Sequence, residues 1–158
     1  MTWLKYDNAP LMNDEFWDHT QNNESYSFEK PKGCWITDDS NDCWQTWCLS
    51  EQFNLSNLTH KHQIILDESN ILIIRSIPEL DAFNADYLID EMRGAIDWKR
   101  VAQKYDGIII TPYQWKRRMQ FNWYYGWDCA SGCIWKAKAI LEIKLLEINK
   151  VEQLQAVA

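Results

Sequence analysis

Short runs of aliphatic residues, many of them β-branched, divide the chain and predict its strands. "HQIIL" (62–66) and "NILIIR" (70–75) are separated only by "DES" (67–69), which predicts a hairpin or two strands of one sheet. "IIIT" (108–111) has the character of a fully buried strand. "GCWIT" (33–37), which follows the turn "KPKG", and "CIW" (133–135) predict two more strands.

Helical periodicity marks three segments. In "DDSNDCWQTWCLSEQF" (38–53), polar residues that can cap a helix precede two Trp and two Cys on one helical face. "SIPELDAFNADYLIDEM" (76–92) has a serine before Pro and Glu, which is a typical helix start, and then an apolar stripe. "AIDWKRVAQKYDG" (95–107) predicts another helix with Trp98 facing inward and Gly107 as its C-terminal stop.

The two ends of the chain are less regular. Residues 1–30 are polar and predict an irregular segment with a short strand at "WLKY" (3–6) and then a loop or short helix. "AILEIKLLEINKVEQLQ" (139–155) fits a strand pair with a slip or a helix, and we favour a strand that runs into a frayed tail over 149–158. The order of strands and helices predicts a single α+β domain over 1–158, with a mixed or antiparallel sheet and a few packed helices.

Tryptophan is the unusual component of the composition. The chain has ten Trp among 158 residues, whereas its hydrophobic share of 46% and charged share of 25% are ordinary. Indoles fill a core with few residues, and each brings an N–H that needs a partner. Because we find neither an apolar run of roughly 20 residues nor a secretory signal, we expect no membrane contact and a cytoplasmic location, in the protein's own cell or in a host.

The cysteines and histidines predict neither a metal site nor a catalytic triad. The cysteine spacings C-x8-C, C-x4-C and C-x3-C match no zinc finger or ribbon. Five cysteines in a cytoplasmic chain also argue against a disulfide framework, so we expect buried, reduced thiols and no metal. A metal site that recruits His60 and His62 is the less favoured alternative. With His19, these histidines lie in polar stretches and are expected at the surface.

Negative charge is concentrated in the first third of the chain. Residues 1–60 hold ten acids and three bases, whereas residues 61–158 hold thirteen of each, for a net charge of −7. This distribution argues against nonspecific binding to duplex DNA, which needs a basic footprint. It leaves two possibilities, which are an acidic face that docks on a basic partner and a merely solvated surface.

Large aromatic residues crowd around a single acid in "FNWYYGWDCASGCIW" (121–135). A buried, unpaired carboxylate is costly, so we expect Asp128 to meet Arg117, Arg118, backbone N–H groups or a ligand. A desolvated carboxylate in a cleft is a typical functional candidate. The stretch therefore predicts a pocket in which Asp128 lies between aromatic walls, with an aspartate that caps its own turn as the alternative.

Two other stretches suit a flat, charged ligand. Gly33 beside Trp35 would let a ring approach the backbone and stack on the indole, although a tight turn before a core Trp explains the pair equally well. "TPYQWKRR" (111–118) offers aromatic rings beside arginines at a strand end, as a phosphate site does, or it is a solvated basic turn. Ser131 and the following glycine would present N–H groups to an anion. We expect Trp35 and Tyr113 to lie close together, with strands 33–37, 108–111 and 133–135 in one sheet.

Four motifs together resemble a family of small uncharacterised proteins of bacteria and their phages. They are "KPKGCWIT", "CWQTWC", "IDWKRVAQKYDGIIITPYQWKRR" and "WYYGWDCASGCIW", and they span Lys30 to Trp135. In that family the first motif usually reads Lys-Pro-x-Gly-Leu-Trp-x-Ser. The layout is similar to a minimal ADP-ribosyltransferase-type fold, in which an early strand carries a His or Arg and a Gly-aromatic-x-Ser/Ala strand lines a nicotinamide pocket.

The chain departs from that pattern at three positions. Asp7 stands where the family often has His, Cys34 replaces Leu, and Thr37 replaces Ser but keeps the hydroxyl. The missing histidine would hold the nicotinamide ribose. A binding protein without turnover is therefore an alternative to a transferase.

The resemblance implies NAD or a related nucleotide as ligand. Trp35 and Tyr113 would sandwich the nicotinamide or base, Arg117 or Arg118 would meet phosphate, and Thr37 and Tyr6 would position a ribose. Asp128 would be the catalytic or ribose-binding carboxylate. The remaining candidates at the ligand are Gly33, Trp115, Tyr125 and Ser131. The alternative hypothesis is a non-enzymatic interaction protein whose acidic N-terminal third docks on a basic surface of a host or defence protein.

Overall fold

The computed structural model describes residues 1–23, 29–91 and 93–157. The α-helices are α1 (Trp44–Glu51), α2 (Ile77–Tyr87), α3 (Trp98–Lys104), α4 (Asn122–Tyr125) and α5 (Val151–Gln155). The strands are β1 (Trp3–Asp7), β2 (Cys34–Thr37), β3 (His60–Leu66), β4 (Ile71–Ile74), β5 (Leu88–Asp90), β6 (Ala95–Ile96), β7 (Gly107–Ile110), β8 (Ser131–Ile134) and β9 (Ile140–Ile148).

Seven strands form one mixed sheet in the order β4-β7-β8-β2-β1-β3-β9, and β5 pairs with β6 in a separate two-stranded ribbon. Strands β4 and β7 run parallel, whereas the other neighbours in the large sheet run antiparallel. The predicted single compact domain with a mixed sheet and a few packed helices is confirmed. The predicted grouping of β2, β7 and β8 in one sheet is confirmed as well.

The large sheet is strongly curled. Strands β3 and β4 are consecutive in the chain but five positions apart in the sheet, which would separate them by about 24 Å if the sheet were flat. The link from Leu66 to Ile71 can span at most about 19 Å. The two strands therefore approach each other across a curved sheet, and Ile64 and Ile71 contribute to the same hydrophobic cluster. This excludes the hairpin that "HQIIL" and "NILIIR" also allowed.

Alternation along the strands divides the core into layers. On β7, Ile108 and Ile110 face a cluster built with α2, α3 and α4, whereas Ile109 faces the inside of the curl. We call the first the helix-side cluster. A third cluster, around Leu4 and Tyr6 of β1, packs against α1 and α5. The side chains on the helix-bearing face of the sheet thus belong to two separate clusters.

Two predictions, for the end of α3 and for the C-terminal tail, differ from the structure. The helix α3 ends at Lys104 because Tyr105 is already extended, and Gly107 is the first residue of β7 and does not stop the helix. The glycine is needed for close strand packing, since a Cβ there would lie 2.8 Å from the carbonyl oxygen of Cys133. The predicted frayed tail contains α5, whose Leu154 is buried in the third cluster.

The histidine prediction is wrong for His62, which is fully buried in β3. Its Nδ1 lies 3.2 Å from the carbonyl oxygen of Lys5, and its Nε2 accepts a hydrogen bond from the backbone N–H of Leu11 at 3.0 Å. This pair of partners fits a neutral ring with its proton on Nδ1. Burial also lowers the pKa of His62.

We expect acid to destabilise the fold through His62. Because its pKa is lower in the folded state, the unfolded chain takes up the proton first as the pH falls below about 6.5. The stability that His62 supports is complete above that pH and is lost as the pH falls through the folded-state pKa. Urea unfolding of the parent should therefore show a midpoint that decreases from pH 7 to pH 5.5.

The variant His62→Gln is the matched control, because its amide can accept from Leu11 without titrating. Its midpoint should change less over the same pH interval. Equal pH dependence in parent and variant would contradict the assignment.

Within the described ranges, no helix combines the length and the apolar character of a membrane span.

Candidate functional site

A cavity of about 300 Å³ lies on the helix-bearing face of the sheet, where the helix-side cluster and the third cluster fail to meet. It opens over β1, β2 and the segment that leads into β8. Its lining combines four large aromatic side chains, one of them a tyrosine, with two lysines, one carboxylate and two aliphatic hydroxyl groups. The lining residues are Leu4, Lys5, Tyr6, Lys30, Trp35, Ile36, Thr37, Trp44, Trp127, Asp128, Cys129 and Ser131.

The hydroxyl of Thr37 fixes the relative position of three wall segments. It donates to the carbonyl oxygen of Ala130 at 2.7 Å and accepts from the backbone N–H of Trp44 at 2.9 Å. The second bond satisfies one of the free N–H groups at the start of α1, which the thiol of Cys43 does not cap. Since both bonds go to main-chain atoms, the structure gives Thr37 a role in building the cavity.

Three indole rings contribute to the cavity wall. The rings of Trp35 and Trp127 meet edge to face with centroids 5.0 Å apart, and Trp127 also stacks on Trp98 in the core. Trp44 is half-buried and stacks on Trp47, with ring centroids 5.2 Å apart. These neighbours hold the rings in place before any ligand arrives.

Two of the three charged side chains in the lining are cationic. Lys5 donates from Nζ to the carbonyl oxygen of Trp35 at 3.1 Å, and Lys30 holds its ammonium 5.4 Å from the centre of the Trp35 ring. Asp128 is the carboxylate of the wall, and Arg118 pairs with it at 3.3 Å. The expected partner of Asp128 and its position in a concave aromatic site are thus confirmed, while its role stays a prediction.

The aromatic run 121–135 divides between core and cavity. Trp123 and Tyr124 of α4 are fully buried in the helix-side cluster, and Trp135 is buried there as well. From this run, only Trp127 brings an aromatic ring to the cavity wall. The interpretation of the run as a pocket therefore holds for residues 127–131, whereas Trp123, Tyr124 and Trp135 belong to the core.

Three candidate residues have other partners. Tyr113 does not line the cavity, because it lies buried behind Trp127 and donates its hydroxyl to the Trp127 carbonyl oxygen, so it cannot sandwich a ligand with Trp35. Arg117 forms a bidentate pair with Asp81 of α2. Gly33 faces the neighbouring strand, since a Cβ there would lie 2.4 Å from the carbonyl oxygen of Ile134. The expected proximity of Trp35 and Tyr113 is replaced by contacts of both with Trp127.

Ser131 and Tyr6 line the cavity with hydroxyls that already have partners. Ser131 donates to the carbonyl oxygen of Cys129 at 3.0 Å, and its backbone lies in β8 between β2 and β7, so it forms no separate anion nest. The hydroxyl of Tyr6 lies 3.1 Å from Oε1 of Gln45, to which it donates. Burial raises the pKa of Tyr6, which keeps the phenol protonated and able to donate.

The other two aromatic candidates form a rim beside the cavity. Trp115 and Tyr125 are both exposed, and the guanidinium of Arg118 lies 6.0 Å and 5.6 Å from their ring centres. Nε1 of Trp115 donates to Asp42 at 3.2 Å. The rim touches the cavity through the pair of Arg118 with Asp128.

All five cysteines are buried free thiols. Cys129, in the cavity wall, has its pKa raised to about 12 by burial, which keeps it protonated and a poor nucleophile near neutral pH. Among the described residues, no group of three or more His, Cys, Asp and Glu side chains is placed to hold a metal ion.

Sequence reasoning missed Lys5, Lys30 and Trp44 as wall residues. The strand pattern of "WLKY" assigns Lys5 to solvent, and only the antiparallel pairing of β1 with β2 brings it to the cavity. A signal was available for Lys30, because it opens the motif "KPKGCWIT" that ends in two wall residues.

We expect Thr37→Val to destabilise the fold. The substitution keeps the shape but leaves the Ala130 carbonyl and the Trp44 N–H without partners, which costs about 1–3 kcal/mol for a buried polar group. Thr37→Ser keeps the hydroxyl and should retain most of the stability in denaturant unfolding. If Thr37→Val has the same midpoint denaturant concentration of unfolding as the parent, the hydroxyl does not hold the three wall segments together.

Comparison with protein-family models, with curated proteins and with solved structures finds no match for this chain.

Proposed function

We propose that the chain binds a small anionic ligand with a flat ring, of the nucleotide class, in the cavity between Trp35, Trp44 and Trp127. The observation that carries this proposal is the combination of indole walls with two lysines in an otherwise acidic protein. NAD is the specific nucleotide that the motif resemblance suggests. The ADP-ribosyltransferase-like fold belongs to the same proposal.

The walls suit a planar ring. Stacking on an aromatic side chain contributes about 1–3 kcal/mol per base in nucleic-acid sites and tolerates any base. A volume of about 300 Å³ is at the lower end for small-molecule sites. The cavity therefore has room for one ring with its nearest substituents, and the rest of a larger nucleotide would extend through the opening.

The charges of the wall favour an anion. Lys5 and Lys30 contribute two positive charges, while the carboxylate of Asp128 is offset by Arg118. Cations held at a partly desolvated cavity attract phosphate or carboxylate groups more strongly than cations in open solvent. The charge of the cavity is thus opposite to the net charge of −7 of the whole chain.

An unpaired donor in the wall adds to the argument. In the part of the chain that the structure describes, Nε1 of Trp127 is the one buried side-chain nitrogen or oxygen without a hydrogen-bond partner. Such groups cost free energy unless something satisfies them. Because Trp127 lines the cavity, we propose that a carbonyl oxygen or ring nitrogen of the ligand satisfies this donor.

The same contacts support binding more directly than transfer. ADP-ribosyl transfer would use a carboxylate to stabilise an oxocarbenium-like ribosyl cation. Asp128 could do so only if the ligand drew it away from Arg118, and the Thr37 hydroxyl already donates its one proton to the Ala130 carbonyl oxygen. Ligand binding without turnover is therefore the form of the proposal that these contacts support, and ADP-ribosyl transfer is its more specific form.

The alternative of an acidic docking face has less support. Asp38 is buried and accepts hydrogen bonds from Ser40 and Thr111, and Asp18 accepts one from the backbone N–H of Ala137. These two carboxylates therefore form hydrogen bonds within the chain. Residues 24–28, which belong to the same acidic third, lie outside the described residues.

We expect Asp128→Asn to lower the affinity for NAD or AMP by at least about tenfold, or roughly 1.4 kcal/mol. The substitution keeps the shape but replaces the carboxylate, which a ribose hydroxyl would bind strongly, with a neutral amide oxygen that accepts more weakly, and it releases Arg118 from its partner. The melting temperature should change little, because the Asp128–Arg118 pair is partly solvent-exposed. Isothermal titration calorimetry measures the affinity, and circular dichroism measures the melting temperature.

Asp81→Asn is the matched control, since Asp81 also pairs with an arginine but does not line the cavity. It should leave the affinity unchanged. If Asp128→Asn unfolds the protein, and neither nucleotide binds the parent, Asp128 is a structural partner of Arg118 and the proposal fails.

A further inference from the structure

The outer edge of β9 is open. The strand forms one end of the large sheet and pairs only with β3. Its nine residues exceed the usual strand length of about 5–6. Among the described residues, Asn13 alone hydrogen-bonds this edge, with its Oδ1 accepting from the N–H of Ile143 at 3.1 Å. An edge of this length is a template for another strand.

The same strand exposes a row of aliphatic side chains. Leu141, Leu145, Leu146 and Ile148 are between 43% and 63% exposed. A long edge strand that exposes aliphatic side chains is prone to pair with another strand. Covering it would supply the hydrophobic driving force that strand pairing alone lacks.

We infer that β9 pairs antiparallel with β9 of a second copy of the chain, about a two-fold axis at Ile143. In this register Glu142 of each copy lies opposite Lys144 of the other, and Leu141 lies opposite Leu145. The strand's charges are thus complementary to themselves, and Glu142 and Lys144, which pair with each other within one chain at 3.6 Å, would exchange partners across the axis. An axis at Lys144 would place Glu142 opposite Leu146, and an axis at Glu142 would place two glutamates together, so neighbouring registers lose both ion pairs.

The backbone direction agrees with this register. The N–H of Ile143 points away from β3, because it reaches Asn13. In an antiparallel pair, the N–H and C=O of one residue point to the same side. Two copies of Ile143 can therefore exchange two hydrogen bonds across the axis. The amide oxygen of Asn13 occupies the position of the partner's carbonyl oxygen and competes with it.

Charge reversal tests the register. Glu142→Lys and Lys144→Glu each place like charges opposite one another twice, and each should weaken self-association by at least about tenfold in analytical ultracentrifugation. The double variant restores both pairs and should return the dissociation constant to within about threefold of the parent. Asn13→Ala removes the competing acceptor and should strengthen the dimer.

Glu147→Lys is the matched control, since it makes the same charge change on the same strand. Glu147 faces Lys61 of its own chain at 3.4 Å and lies opposite Ala139 in the proposed dimer, so the variant should dimerise like the parent. Circular dichroism confirms that each variant is folded. A parent that stays monomeric up to about 200 µM overturns the inference. So does a double variant as weak as the single ones, or a Glu147→Lys variant weakened equally.

Discussion

The cavity depends on one buried hydroxyl. Thr37 ends β2, and its Oγ1 joins that strand to the segment before β8 and to the first turn of α1. Trp35, Trp127 and Trp44 are positioned by these three segments. The hydrogen bonds of Thr37 thus set the distance between these three segments. The aromatic rings carried by the segments then form the cavity wall at that distance.

The layered core explains why a cavity exists there. Trp98, Trp123 and Trp127 pack against one another above the sheet and complete the helix-side cluster with few residues. The third cluster grows separately from β1, α1 and α5. A rigid indole ring cannot change its shape to fill the space between the two clusters, as a smaller and more flexible side chain could. The rings therefore stop at its border, and a cation-lined space remains between them.

Local patterns identified the strands and helices because their periodicity reflects which face is buried. The runs "IIIT" and "ILEIKLLEI" both form strands, and α2 starts at the predicted Ser76 cap. Strand neighbours could not be predicted in the same way. That β3 and β4 are far apart in the sheet, although four residues separate them, follows from the curl of the whole sheet.

The candidate site was partly predictable for the same reason. An acid among aromatic residues has few acceptable environments, which is why the sequence could place Asp128 in a concave aromatic wall beside an arginine. The sequence could not predict, however, in which direction each of two adjacent side chains points. Arg117 and Arg118 are neighbours in one short 3₁₀ turn region, yet the first meets Asp81 and the second meets Asp128. Likewise, Trp123 and Trp127 differ in role because α4 ends between them.

Native mass spectrometry of the protein purified from cells tests most directly whether the cavity is a ligand site. The account predicts a folded species that carries a non-covalent adduct, or that gains one on incubation with NAD or AMP. Collisional activation should release the adduct, and the mass of the released molecule should be that of an anion with an aromatic ring, such as NAD or AMP. A bare chain mass under both conditions, from protein that is folded by circular dichroism, would contradict the account.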